Sequence, residues 1–136
     1  MSETLALITL ESGKLDLLGE QERLIYQKIQ SYIHAWYNGE GEEMSKLISP
    51  NYEATYSGIN GEISRNFDQQ IKATRNGEGV LRNIYHNRIF SSINVSSTQG
   101  SATIILRETV HEISLINTAN GWSILKDDYI DKGRHG

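Results

Sequence analysis

Cysteine is missing from the 136 residues, which removes disulfide frameworks, thiolate zinc sites, iron–sulfur clusters and cysteine nucleophiles. Proline occurs once, at Pro50, and no Pro-, Ser- or charge-rich linker divides the chain. Two domains in this length would each approach the size at which a core becomes marginal, so one core is expected. No apolar run approaches the roughly 18 residues that a membrane helix needs. The opening MSETLALITLESG carries Glu3 and no Lys or Arg. It lacks the basic head of a secretory signal, and the cytoplasm is the default compartment. Asn94-Val95-Ser96 matches a glycosylation acceptor but, without export, reads as a piece of strand.

Phosphate and metal motifs are also missing. Gly77-Glu78-Gly79 lacks the third glycine and the preceding strand of a dinucleotide fingerprint, and no glycine precedes a Lys-Ser or Lys-Thr pair. Asp127 to Gly133 breaks the acid spacing of a calcium loop. His34, His86, His111 and His135 lie far apart in sequence. No cofactor and no metal site are therefore expected. The formal net charge is -4, and the bases of residues 63–126 are spread singly rather than gathered in a stripe with interleaved aromatics. Nucleic acid is not an expected partner.

Several elements are legible. Residues 20–38 place Leu24, Ile25, Ile29, Tyr32, Ile33, Trp36 and Tyr37 at helical spacing, with Glu20 and Glu22 in the first turn and Gly39 as a left-handed stop. A short second helix is expected over 42–49, ending at Pro50. Tyr52–Tyr56 reads as a strand closed by the turn Gly58-Ile59-Asn60-Gly61, and a third helix over 66–75 takes Ser64 or Asn66 as N-cap. From residue 84 the period changes to that of strands. Residues 84–96, 102–117 and 122–130 are expected as three consecutive antiparallel strands, with Asn120-Gly121 as a hairpin turn. The central run has apolar residues on both faces (Ile104, Leu106 and Val110 against Ile105, Ile113 and Leu115). Helices are expected to cover one face and a second subunit the other. Residues 1–19 are either an edge strand or an arm; residues 20–136 form the single domain. Helices first and a meander last make the class α+β.

This order resembles the nuclear transport factor 2-like superfamily over about residues 22–130, and within it the putative lumazine-binding and polyketide-cyclase-like (SnoaL-like) branch. The residues that carry the resemblance are Tyr32 to Glu40 at the helix end, Leu47 to Tyr52, and Gly121 to Leu125. The resemblance implies a cystatin-like cone, a curved antiparallel sheet wrapped around the long N-terminal helix with two shorter helices. It also implies a small apolar or aromatic ligand in the cone and a homodimer through the outer sheet face. The steroid-isomerase members use a carboxylate base, with a Tyr and a protonated Asp holding the enolate oxygen. Counted onto this chain, Tyr32 matches the phenol, while the base falls at Tyr56 and the second carboxyl at Ile113. Two of those three groups are missing.

The candidate ligand-binding residues are Tyr32, Trp36 and Tyr56 as an aromatic wall, His86 and Arg88 for an anionic head group, and His111. Core packing is the rival for the aromatics, and surface exposure for His86 and Arg88. His111 shares the parity of Ile113 and is the acid–base candidate. Counting by twos from Ile124 turns Lys126 and Asp128 inward, which makes Asp128 the candidate orienting carboxylate; pairing of Lys126 with Asp128 is the bland alternative. Three functions stay open: a binding cone without chemistry, which is favoured; a cofactor-free isomerase, dehydratase or cyclase using His111, Asp128 and Tyr32 as catalytic groups; and an interaction module with a filled cone.

Overall fold

A computed structural model describes residues 19–58, 61–80, 89–105 and 109–131. Helix α1 (Glu20–Tyr37) buries Ile25, Tyr26, Ile29, Tyr32, Ile33 and Ala35, one stripe at helical spacing. The Glu22 carboxylate accepts the Gly19 N–H at 2.8 Å and caps the first turn. The helix ends at Asn38, and Gly39 takes φ +69, the left-handed conformation that glycine adopts without steric cost. Leu24, grouped with the apolar face by its spacing, is exposed.

Helix α2 (Gly41–Leu47) buries Met44 and Leu47. It stops before Pro50 because the residue ahead of a proline is driven out of helical geometry; Ile48 and Ser49 instead open strand β1 (Ile48–Gly58). Strand β2 (Gly61–Asn66) follows, where a turn and a helix entry were expected. Helix α3 (Phe67–Arg75) is closed by a capping box, with Asn66 Oδ1 accepting from Gln69 N at 2.9 Å and Gln69 Oε1 from Asn66 N at 2.8 Å.

The remaining strands are β3 (Ile89–Val95), β4 (Gln99–Ile105), β5 (Thr109–Thr118) and β6 (Gly121–Asp131). The run expected as one central strand over 102–117 is thus two, β4 and β5, paired antiparallel with Ile105 opposite Val110. The six strands form one sheet in the order β2-β1-β6-β5-β4-β3. All neighbours are antiparallel except β1 and β6, so the curved, unclosed sheet is mixed rather than antiparallel throughout.

The core lies between α1 and the concave face of the sheet, where Ile25, Ile29, Met44, Ile104, Ile113 and Ile124 are wholly enclosed. Trp122 Nε1 donates to Gln21 Oε1 at 2.9 Å and ties the start of α1 to the last strand. On the convex face Ile105, Val110 and Ile130 form a short apolar row across three strands, while Thr103, Glu112, Ser114, Lys126 and Asp128 occupy its middle. Ile130 is 52% exposed there. The outward apolar residues of β4 and β5 among those described are thus Ile105 and Val110 at one end and Ile116 at the other, and Leu106 lies outside the described residues. No helix among the described residues is long and apolar enough to cross a membrane.

A β-bulge decides which acid enters the cone. Ser114 faces Lys126 and Leu115 faces Ile124, so Leu125 is an extra residue on β6. An inserted residue reverses the alternation beyond it. Ile124 points inward, Lys126 and Asp128 point outward, and Asp127 is buried with 2% of its surface exposed. Inward placement of Lys126 and Asp128 is corrected on this ground.

Candidate functional site

Asp127 is the centre of a polar cluster at the end of the cone where α1 finishes. Its Oδ2 accepts the Tyr32 hydroxyl at 2.5 Å, and its Oδ1 lies 2.8 Å from His111 Nδ1. Asp127 sits opposite Ile113 in the β5–β6 register, and His111 sits opposite Tyr129, two residues on along the same inner face. The Tyr32 hydroxyl also lies 2.5 Å from that of Tyr52. Tyr32 has a single proton and gives it to Asp127, so Tyr52 donates to the Tyr32 oxygen. Three groups, Tyr32 (4% exposed), Tyr52 (2%) and Asp127, thereby form a floor closed to water.

The protonation pattern follows from this geometry. As a carboxylate, Asp127 only accepts, which places the ring proton of His111 on Nδ1 and leaves Nε2 as the acceptor of the neutral imidazole. Nε2 lies 3.1 Å from Thr109 Oγ1, whose hydroxyl donates to it when the ring is neutral. Burial pushes the Tyr32 phenol well above its ordinary value, and the Asp127 charge adds to the shift. Tyr52 is raised for the same two reasons. Both phenols are therefore held as proton donors, and neither serves as a base.

Above the floor stands a half-buried wall. The Tyr129 ring stacks on His111 with centroids 4.5 Å apart and planes 10° from parallel, and Tyr56 packs against Tyr129 at 5.0 Å. Arg65 Nη2 donates to the Tyr129 hydroxyl at 2.7 Å and Arg65 Nε to Gln70 Oε1 at 2.8 Å. The guanidinium lies over the Trp36 ring, 5.1 Å from its centroid. Trp36 is fixed from behind by residues 76–80: a Cβ on Gly79 would fall 2.6 Å from the indole Nε1, so only glycine fits there.

Of the residues singled out in the sequence, Tyr32 and His111 meet at the shared carboxylate, and Trp36 and Tyr56 stand in the wall. Asp128 does not join them; it pairs with Lys126 at 3.8 Å on the outer face. His86 and Arg88 lie outside the described residues. Four members were missed by sequence reasoning: Asp127, Tyr52, Arg65 and Tyr129. The apolar pair Ile124-Leu125, which breaks strict alternation, is the signal that would have moved the inward acid from 128 to 127.

A polar groove of about 380 Å³ runs between the start of β1, the end of β2 and the first turn of α3. Tyr52 and Arg65 of the site contribute to its lining, and His111 and Asp127 do not. Among the described residues no group of three or more His, Asp or Glu is placed to hold a metal ion.

No protein-family model and no curated protein matches the chain. Solved structures do. A nuclear transport factor 2-like protein of unknown function from Methylobacillus flagellatus superposes with a TM-score of 0.69 at 15% identity, covering 88% of this chain and 98% of that one. Another of unknown function, from Silicibacter pomeroyi, gives 0.68 at 10% identity over 81% and 94%. A ketosteroid isomerase-like protein from Erwinia carotovora atroseptica gives 0.59 at 10% identity over 85% and 99%. The chain has the nuclear transport factor 2-like fold, a cystatin-like α+β cone.

Proposed function

We propose that the domain binds a small molecule bearing a hydroxyl or carbonyl group in its cone and moves a proton on it through His111, without a cofactor. The observation that carries this is the buried Asp127 carboxylate 2.8 Å from His111 Nδ1. A carboxylate in that position fixes the tautomer and stabilises the imidazolium formed when Nε2 takes a proton. Tyr32, held by Tyr52, fills the other oxygen of Asp127 and keeps it from turning. The Thr109 hydroxyl is a rotor at Nε2; when it swings away, a ligand O–H or an acidic C–H beside a carbonyl takes its place. The proton then returns at a second position, which is the chemistry of an isomerase, dehydratase or cyclase. Tyr56, Trp36 and Tyr129 supply the apolar wall.

This reading raises the enzyme above the silent binding cone, because a buried carboxylate aligned on a histidine is costly to maintain for packing alone. The resemblance to the polyketide-cyclase-like branch points the same way, and one structural neighbour is described as ketosteroid isomerase-like. The test is a panel of phenols and aryl ketones incubated in D₂O with wild type and with His111→Gln. The expected result is a binder that shifts the His111 ring resonances and exchanges hydrogen for deuterium in the wild type alone. Binding at His111 with no exchange by any member would return the domain to a binding role. Pairing through the outer sheet face remains part of the proposal, with the row Ile105, Val110 and Ile130 as the surface to be covered.

A further inference from the structure

Arg65 is the second charged group of the cone and has no role in the proton path. It projects from the inner face of edge strand β2, opposite Ala54, whose small side chain leaves room for it. Three neutral groups hold it: the Gln70 carbonyl oxygen, the Tyr129 hydroxyl and the Trp36 ring. Gln70 is itself buried and caps no other group of the site. Among the described residues no carboxylate forms an ion pair with Arg65. A half-buried guanidinium is ordinarily matched by an anion, since its desolvation is otherwise uncompensated. Here the fold fixes its plane and leaves its charge unneutralised.

Donor accounting narrows the missing partner. A guanidinium has five N–H groups; Nε and one proton of Nη2 are used, and Nη1 has no acceptor among the described residues. The remaining donors suit the two parallel hydrogen bonds of a carboxylate. One cation in a site that also contains the Asp127 carboxylate matches a monoanion better than a phosphate dianion. Tyr129 links the two functional groups: its hydroxyl holds Arg65, and its ring face stacks on His111.

We propose that the ligand of this cone is a carboxylate with a flat, apolar body, that Arg65 takes its carboxylate group, and that the body lies along Tyr129 toward His111. The inference rests on the cone-binding reading above and adds the substrate class. Lysine would not substitute for Arg65, because a point charge on a flexible stem cannot hold Gln70, Tyr129 and a ligand carboxylate together.

Benzoate and 4-hydroxybenzoate, each compared with its neutral amide, test this on the full chain, with binding followed at the His111 ring and the Trp36 indole N–H. Wild type is expected to prefer each carboxylate over its amide by about tenfold or more. Arg65→Gln should abolish that preference, bringing acid and amide to equal affinity, and Arg65→Lys should retain only part of it. The acid–amide comparison in the wild type needs no variant, so a poorly folded Arg65→Gln leaves the test intact. Equal affinity for acid and amide, or a preference that survives Arg65→Gln, overturns the assignment of Arg65. If the amides still perturb His111 in that case, the cone-binding reading stands and only the carboxylate class falls. If neither series perturbs His111 at millimolar concentrations, both fall.

Discussion

Asp127 and His111 meet at 2.8 Å across the β5–β6 pair, the acid buried and the imidazole with 15% of its side chain exposed. The aspartate is sealed beneath the histidine, and the histidine is the member of the pair that can reach a ligand. That division of exposure is what an orienting carboxylate and a proton-transfer group require.

Asp127→Asn removes the charge while keeping the shape. It leaves the Tyr32 hydroxyl and His111 Nδ1 competing for one carbonyl oxygen, and a loss of roughly 1–3 kcal/mol is expected, the range for leaving a buried donor unsatisfied. Asp128→Asn, on the outer face, should stay within about 0.5 kcal/mol of wild type. Urea unfolding of the two variants checks the bulge directly, because a regular strand would reverse the order.

Tyr32→Phe deletes the donor to Asp127 and the acceptor of Tyr52 together. Leaving buried polar groups unpaired costs about 1–3 kcal/mol each. Tyr52→Phe removes only the outermost donor and leaves the Tyr32–Asp127 bond in place. The expected order of destabilisation is therefore Tyr32→Phe above Tyr52→Phe, measured by denaturant midpoint at constant slope.

Alkaline pH should unfold the protein through these two phenols. Both are raised well above the ordinary 10.0 in the folded state, whereas in the unfolded chain they ionise at that value. The folded state thus keeps protons that the unfolded state releases. The stabilisation is complete below 10.0 and is lost as pH rises through the folded values. Around neutral pH the two phenols should add no pH dependence to stability, and phenolate absorbance should show two tyrosines that ionise only with loss of structure.

Gly79→Ala tests the support of the wall. Its new methyl group meets the Trp36 indole, and overpacking of this kind costs about 1–3 kcal/mol. Tryptophan emission should shift with little change in the contact between Trp122 and Gln21.

The outer apolar row predicts self-association. Sedimentation at micromolar concentration should show a dimer that Ile130→Glu dissociates; a wild-type monomer would remove the dimer from the account.

Much of the fold is visible in the sequence because periodicity and caps are local. Ile25, Ile29, Tyr32 and Ile33 fix the face of α1, and Gly39 ends it; Asn66 with Gln69 starts α3. The site is less visible because it depends on register. A single extra residue at Leu125 exchanges Asp127 for Asp128, and counting by twos has no means of registering an insertion. Arg65 was missed for another reason: residues 61–66 hold Gly61, Ser64 and Asn66, which read as a turn and a helix cap, and only pairing with β1 makes them a strand. Tyr52 was read as a strand residue, and its contact with Tyr32 joins two elements whose packing no local pattern states.

The most direct measurement is the nitrogen-15 spectrum of the His111 imidazole at neutral pH in wild type and in Asp127→Asn. The wild-type ring is expected to carry a slowly exchanging proton on Nδ1, which Asp127→Asn loses. A ring protonated on Nε2 alone, or one whose spectrum is the same in both proteins, would contradict the account.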